Sequence, residues 1–156
     1  MGKNLGNVLT MNSKEFKALF NEIAEAYGFK SCFGGWYKES KECIVVLDLQ
    51  KSGYGNYYEL NIKTYIQGVF GNRYEISKDL VKKYMGNVFT RPPKEYNNVL
   101  DLDSIVDGSE RKKLLEILFI NFIVPETSNA LTRAGIIEEA KKGLFLTPAI
   151  KKELGI

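Results

Sequence analysis

Apolar residues recur at helical spacing from Phe16 to Tyr27, with Phe16, Leu19, Phe20, Ile23 and Tyr27 on one stripe. That pattern predicts an amphipathic first helix that buries one face. Asn12 stands at the cap position, and Glu15 three residues later completes a capping box, with Met11 and Phe16 placed as a hydrophobic staple. Gly28 is positioned to end the helix in a left-handed turn, with Phe29 folding back on it. Residues 1–10 ahead of this helix read as a flexible leader, and 11–156 as a single α+β domain.

The period then switches to that of strands. Trp36-Tyr37-Lys38 leads through polar residues 39–42 into Cys43 to Lys51; Gly53-Tyr54-Gly55-Asn56 is a turn, and Tyr57 to Gln67 forms the next run. No helix intervenes, so a three-stranded antiparallel meander is expected. Parity sets the register of the second hairpin. Pairing Leu49 with Leu60 and Leu47 with Ile62 puts both apolar sets on one side, whereas a slip of one residue would bury Asp48 and Asn61 instead. A first hairpin closed around Ser40-Lys41 places Trp36 opposite Val45 and Tyr37 opposite Ile44. Cys32 then lies level with Leu49, about 20 Å from Cys43, too far for a disulfide.

Further along, Ile76 to Met85 reads as a short helix ended by Gly86, Arg91-Pro92-Pro93 as a rigid loop, and Asn98 to Leu102 as a candidate fourth, edge strand. Asp107 with Glu110 repeats the capping pattern before a helix that is apolar on most of its circumference from Leu114 to Ile123, and Pro125 is expected to stop it. Glu126 to Ala134, ended by Gly135, and Ile136 to Lys142, ended by Gly143, read as short helices. Thr147 and Pro148 start a final helix to Leu154. The fold expected is therefore α+β, with the meander packed against the N-terminal and C-terminal helices.

Composition narrows the chemistry. The chain is 44% hydrophobic and 26% charged, as a globular protein is, and nine Phe with nine Tyr fill a core and leave aromatic surface for a partner. Twenty-two basic against 19 acidic residues give a net charge of only +3. The clusters Arg111-Lys112-Lys113 and Lys141-Lys142 are flanked by Glu110, Glu116, Glu138 and Glu139, so they read as solvated helix faces and nucleic acid is disfavoured as a partner. The absence of histidine removes Ser-His-Asp and Cys-His catalysis and His-ligated zinc. Two cysteines alone make no thiolate metal site, and Cys32 beside Phe33 reads as an inert apolar thiol. Residues Met1 to Gly6 carry no signal-peptide core, and the most apolar run, Leu114 to Val124, is too short to span a bilayer. Cytoplasmic location, no membrane, no metal and no cofactor are the expectations.

The meander face opposite the apolar one is the candidate functional surface. It carries Tyr37, Ile44 and Tyr65 at one end, then Val46 and Lys63, Asp48 beside Asn61, and Gln50 beside Glu59. One reading is a solvated face of cross-strand pairs. The other is a recognition face for another protein, centred on Tyr37, Gln50, Asn61, Lys63 and Tyr65. A helix covering the aromatic end is a third arrangement, and a histidine-independent enzyme or small-ligand binder on the same face is the alternative function. The carboxylate pairs Asp48 with Glu59 and Asp101 with Asp103 have nothing converging on them at ligand spacing, and no catalytic residue is assigned.

A helix ending Tyr27-Gly28-Phe29-Lys30, an aromatic strand at Trp36-Tyr37, then Leu49-Gln50-Lys51-Ser52 and Leu60-Asn61-Ile62 together resemble domain of unknown function family 4304, a widespread family of small bacterial proteins. Its members carry a Gly-Phe helix end, a strand ending in Gln-x-Ser and a following strand reading Asn-Leu-Gly. The resemblance spans residues 12–67. Asn61-Ile62-Lys63 departs from Asn-Leu-Gly, the family's paired tryptophans are replaced near Asn98-Val99-Leu100, and Arg91 stands nearest the family's usual arginine. The resemblance implies the fold and no activity. Relatives in toxin–immunity gene neighbourhoods imply a binding role, as an immunity or accessory factor.

Overall fold

The computed structural model describes residues 11–104 and 106–156. The leader expected over residues 1–10 lies outside the described residues. Helix α1 spans Ser13–Ala26 and begins with the full capping box: Asn12 Oδ1 accepts from Glu15 N at 2.8 Å, and Glu15 Oε1 accepts from Asn12 N at 3.1 Å. It ends as a Schellman turn, with Gly28 at φ +88° while Phe29 N donates to Ala24 O and Gly28 N to Glu25 O, each at 3.0 Å.

Five strands follow in the order β1 (Lys30–Cys32), β2 (Gly35–Glu39), β3 (Cys43–Lys51), β4 (Tyr58–Ile66) and β5 (Val88–Thr90), each antiparallel to its neighbour. The expected meander is β2-β3-β4; the sheet is wider by one strand at each edge. Strand β1 arises because Phe33 and Gly34, at φ +52° and +77°, turn the chain back so that Cys32 pairs with Gly35. This is a two-residue hairpin of the primed type, which asparagine usually announces. The strand that would have carried Cys32 level with Leu49 does not exist, and both cysteines are free.

The β3–β4 register is the expected one, Leu47 opposite Ile62 and Leu49 opposite Leu60. The β2–β3 register differs by two residues, Trp36 facing Leu47 and Tyr37 facing Val46. The turn closes one residue later than expected. Ser40 N donates to Cys43 O at 2.9 Å, and Ser40 Oγ accepts from the amides of Glu42 and Cys43. A shift of two preserves parity, so every side chain keeps its expected face.

The apolar face packs Trp36, Val45, Leu47, Leu49, Tyr58, Leu60 and Ile62 against Phe16, Phe20 and Ile23 of α1 and Leu115, Leu118, Phe119 and Ile123. The last four belong to one helical run: α4 (Gly108–Leu118), a π-helical turn (Phe119–Ile123) and α5 (Val124–Ala130). Pro125 does not stop this run. Val124 N donates to Phe119 O, five residues back, so the ladder has already slipped by one residue where the proline arrives without an N–H. Nor is the run buried all round: Ile117 and Ile120 are 45% and 55% exposed.

Arg111 does not join the solvated lysines beside it. It is fully buried, donating to the carbonyls of Asn98, Val99 and Ser104, while its Nε has no partner among the described residues. Burial holds its pKa below the usual arginine value, with Asp101 opposing. Two of these acceptors, Asn98 and Val99, belong to a one-turn helix, α3 (Asn97–Leu100), where an edge strand was expected; among the described residues of that stretch only Asp101 makes a bridge, to Tyr57.

Helices α6 (Arg133–Lys141) and α7 (Pro148–Leu154) cover the far end of the apolar face, where Cys43, Ile66 and Val69 meet Ile136, Leu146 and Ile150. Burial and the neighbouring Glu42 push the Cys43 thiol up to about 12, which leaves it unreactive at neutral pH. Gly135 ends no helix: Thr132 caps α6 and Gly135 lies inside it. A Cβ there would sit 2.0 Å from the Asn129 carbonyl oxygen, so glycine lets α5 and α6 cross in contact. Because the obstacle is backbone, Gly135→Ala should lower stability by about 1–3 kcal/mol or more, read from urea melts. An unchanged midpoint would show that the two helices separate freely.

Candidate functional site: a polar cleft on the second sheet face

The second face is half covered. A short helix, α2 (Lys78–Lys82), capped by Ser77 Oγ, lays Leu80 and Val81 over Ile44, Val46 and Tyr65, with Tyr37, Tyr74 and Ile76 at the margin. This is the arrangement in which a helix covers the aromatic end. The helix is shorter than the expected span to Met85, and Gly86, at φ +79°, carries the chain closely over the Thr64 backbone into β5.

Two of the five residues expected on a recognition face serve this helix. Tyr65 is buried and its hydroxyl donates to Leu80 O at 2.6 Å. Lys63 is buried and donates to Val81 O at 2.6 Å. Both satisfy carbonyls that the end of a helix leaves open. Burial raises the Tyr65 hydroxyl pKa and lowers that of Lys63, against the pull of Asp48. Neither offers its polar group to a partner.

Beyond α2 the face opens into a cleft lined by Asp48, Gln50, Asn61, Lys63, Lys82, Lys83, Tyr84, Met85, Phe89 and Arg91. Its floor is a polar ladder across β3, β4 and β5. Asp48, buried, meets Lys82 at 2.6 Å and Lys63 at 3.5 Å. Asn61 donates to Gln50 Oε1 at 2.9 Å and accepts from Arg91 Nε at 2.9 Å, while Arg91 pairs with Glu59 at 3.3 Å. Arg91 also lies over the Phe89 ring at 5.3 Å. Strand alternation explains the grouping, since Phe89, opposite Lys63, and Arg91, two residues on, share one face. The lip is apolar: Tyr84 is 47% and Met85 60% exposed.

Gln50, Asn61 and Lys63 thus meet in the cleft, Gln50 exposed and Asn61 buried in the ladder. Tyr65 borders the adjoining hollow with Tyr74, Tyr84 and Met85. Tyr37 is separate, in a hollow with Gly28, Lys38 and Leu131. Sequence reasoning missed Lys82, Tyr84, Met85, Phe89 and Arg91. The run Lys82-Lys83-Tyr84-Met85 before a glycine was the available signal.

Chemically, the cleft offers hydrogen-bonding groups and charges of both signs. The cleft carboxylate, Asp48, is held by two lysines, and Glu59 beside the cleft is held by Arg91. Asp101 and Asp103 are joined to one another through the Asp103 amide. Among the described residues no group of three His, Cys, Asp or Glu is placed to hold a metal ion, and no helix is long and apolar enough to cross a membrane.

Comparison with curated proteins and with solved structures returned no match. A family model described as "Domain of unknown function (DUF4304)" matches residues 20–125. The match reaches well past the motif-bearing span of 12–67, through β5, α3 and the π-helical turn to Pro125. With more than half of its length matched, this chain belongs to the DUF4304 family of domains of unknown function.

Proposed function

We propose that this chain is a non-catalytic recognition domain that engages another protein through the cleft between β3–β5 and the end of α2. The observation that carries the reading is the pairing of an open, hydrogen-bonding floor with the exposed Tyr84 and Met85 at its lip. A deep enclosed pocket at Gln50 and Asn61 would have favoured a small ligand; an open cleft with apolar contact area favours a protein surface. Aromatic residues and methionine are enriched at such contacts, and large apolar residues with no core role supply them. The Tyr84 carbonyl lies 3.2 Å from the Tyr65 hydroxyl, so the lip is anchored to the sheet and presented with little ordering cost. In the setting that the family resemblance implies, such a domain acts as an immunity or accessory factor.

The test is site-specific photocrosslinking in native lysate, with p-benzoylphenylalanine in place of Met85 and, as control, of Ile117 on the helix behind the other sheet face. Discrete protein adducts are expected at position 85 and absent at position 117. No adduct at 85, or the same adducts at both positions, would overturn the reading.

A further inference from the structure

Resting on that reading, we infer that the partner presents an acidic segment bearing an apolar side chain: a carboxylate seated among Lys82, Lys83 and Arg91, and the apolar group on Tyr84, Met85 and Phe89. Four of the cleft's lining residues are basic and one, Asp48, is acidic, in a chain whose overall charge is only +3. The internal pairs leave donors over. Asp48 occupies one of the three donors of Lys82, and Asn61 with Glu59 occupy Arg91 Nε and one terminal nitrogen. Lys83 has no carboxylate partner among the described residues, and the Gln50 amide nitrogen donates to none of them. A planar carboxylate is the ligand that a guanidinium fork, an ammonium and an amide donor recognise together.

The same features disfavour a polyphosphate chain. Asp48 in the floor and Glu59, paired with Arg91 at its edge, would repel closely spaced phosphates, and a nucleic-acid track needs successive stacking platforms along an extended basic groove. Here one exposed aromatic edge is joined to a flexible methionine, which suits an aliphatic or aromatic side chain.

The probe is a short fluorescein-labelled peptide of alternating glutamate and phenylalanine, titrated into the full chain and followed by anisotropy. A lysine-for-glutamate version and an oligothymidylate of equal charge serve as controls. Lys83→Gln with Arg91→Gln is the cleft variant and Lys141→Gln with Lys142→Gln the control; Lys83→Glu alone covers the case in which loss of the Arg91–Glu59 pair unfolds the chain. Binding is expected to weaken about tenfold or more in the cleft variant, to stay unchanged in the control, and to fall with added salt. Equal affinity of cleft variant and wild type, or tighter binding of the oligothymidylate, would overturn the inference. If the acidic peptide fails to bind while adducts at position 85 persist, the acidic partner class is wrong and the recognition reading stands. If the adducts are missing too, both fall.

Discussion

Phe119→Ala is expected to lower the unfolding free energy by about 3–5 kcal/mol, the range for emptying a fully buried aromatic site. Phe119 is completely enclosed, and its ring lies 5.1 Å from Phe20, 5.7 Å from Tyr27 and 6.3 Å from Phe29. It therefore joins the middle and the C-terminal end of α1 to the junction where α4 passes into the π-helical turn. Truncation removes the burial of one ring and three aromatic contacts, and the rings around the void belong to elements tied elsewhere, so collapse is restricted. One residue on, Ile120→Ala should change stability by about 0.5 kcal/mol or less, because Ile120 faces water. Urea melts of the two variants at equal m-value give the comparison. A loss below about 1 kcal/mol for Phe119→Ala would contradict the aromatic cluster as the centre of the core.

Asp48→Ala should be nearly as damaging, at about 3–5 kcal/mol, for an electrostatic reason. The side chains of Asp48 and Lys63 are 7% and 4% accessible, so removing the carboxylate strands a buried ammonium whose remaining bond is to the Val81 carbonyl. Lys82, half in water, contributes little to this balance. The double variant Asp48→Ala with Lys63→Met then separates causes. If the stranded charge dominates, removing it should restore most of the loss, as replacing a whole buried pair by apolar atoms is often neutral. A double variant no more stable than Asp48→Ala alone would place the loss in the packing of α2.

The legible parts of this protein were those governed by neighbours in the chain. The Asn12–Glu15 box, the left-handed Gly28, the Thr147–Pro148 start of the last helix and the Leu49–Leu60 register all follow from spacing within a few residues or from strand parity. Parity was robust enough that the two-residue error in the first hairpin moved no side chain to the wrong face. The candidate site was half legible. Gln50, Asn61 and Lys63 share a face by alternation, but the residues completing the cleft come from 82–91, where short elements carry weak periodic signals.

What the sequence determined by itself is therefore local: where helices begin and end, which side of each central strand is apolar, and which catalytic chemistries lack their residues. Tertiary structure decided how polar residues are used, because burial and partnership depend on which distant segment arrives. Lys63 and Tyr65 became anchors once α2 brought its open carbonyls over them, and Arg111 left the solvated face once the carbonyls of residues 98–104 surrounded it. Pro125 lost its power to stop a helix once the preceding turn widened. In each case the intrinsic preference of the residue was overruled by a hydrogen-bonding group far away in the sequence or by a local shift in the ladder, neither of which composition or spacing records.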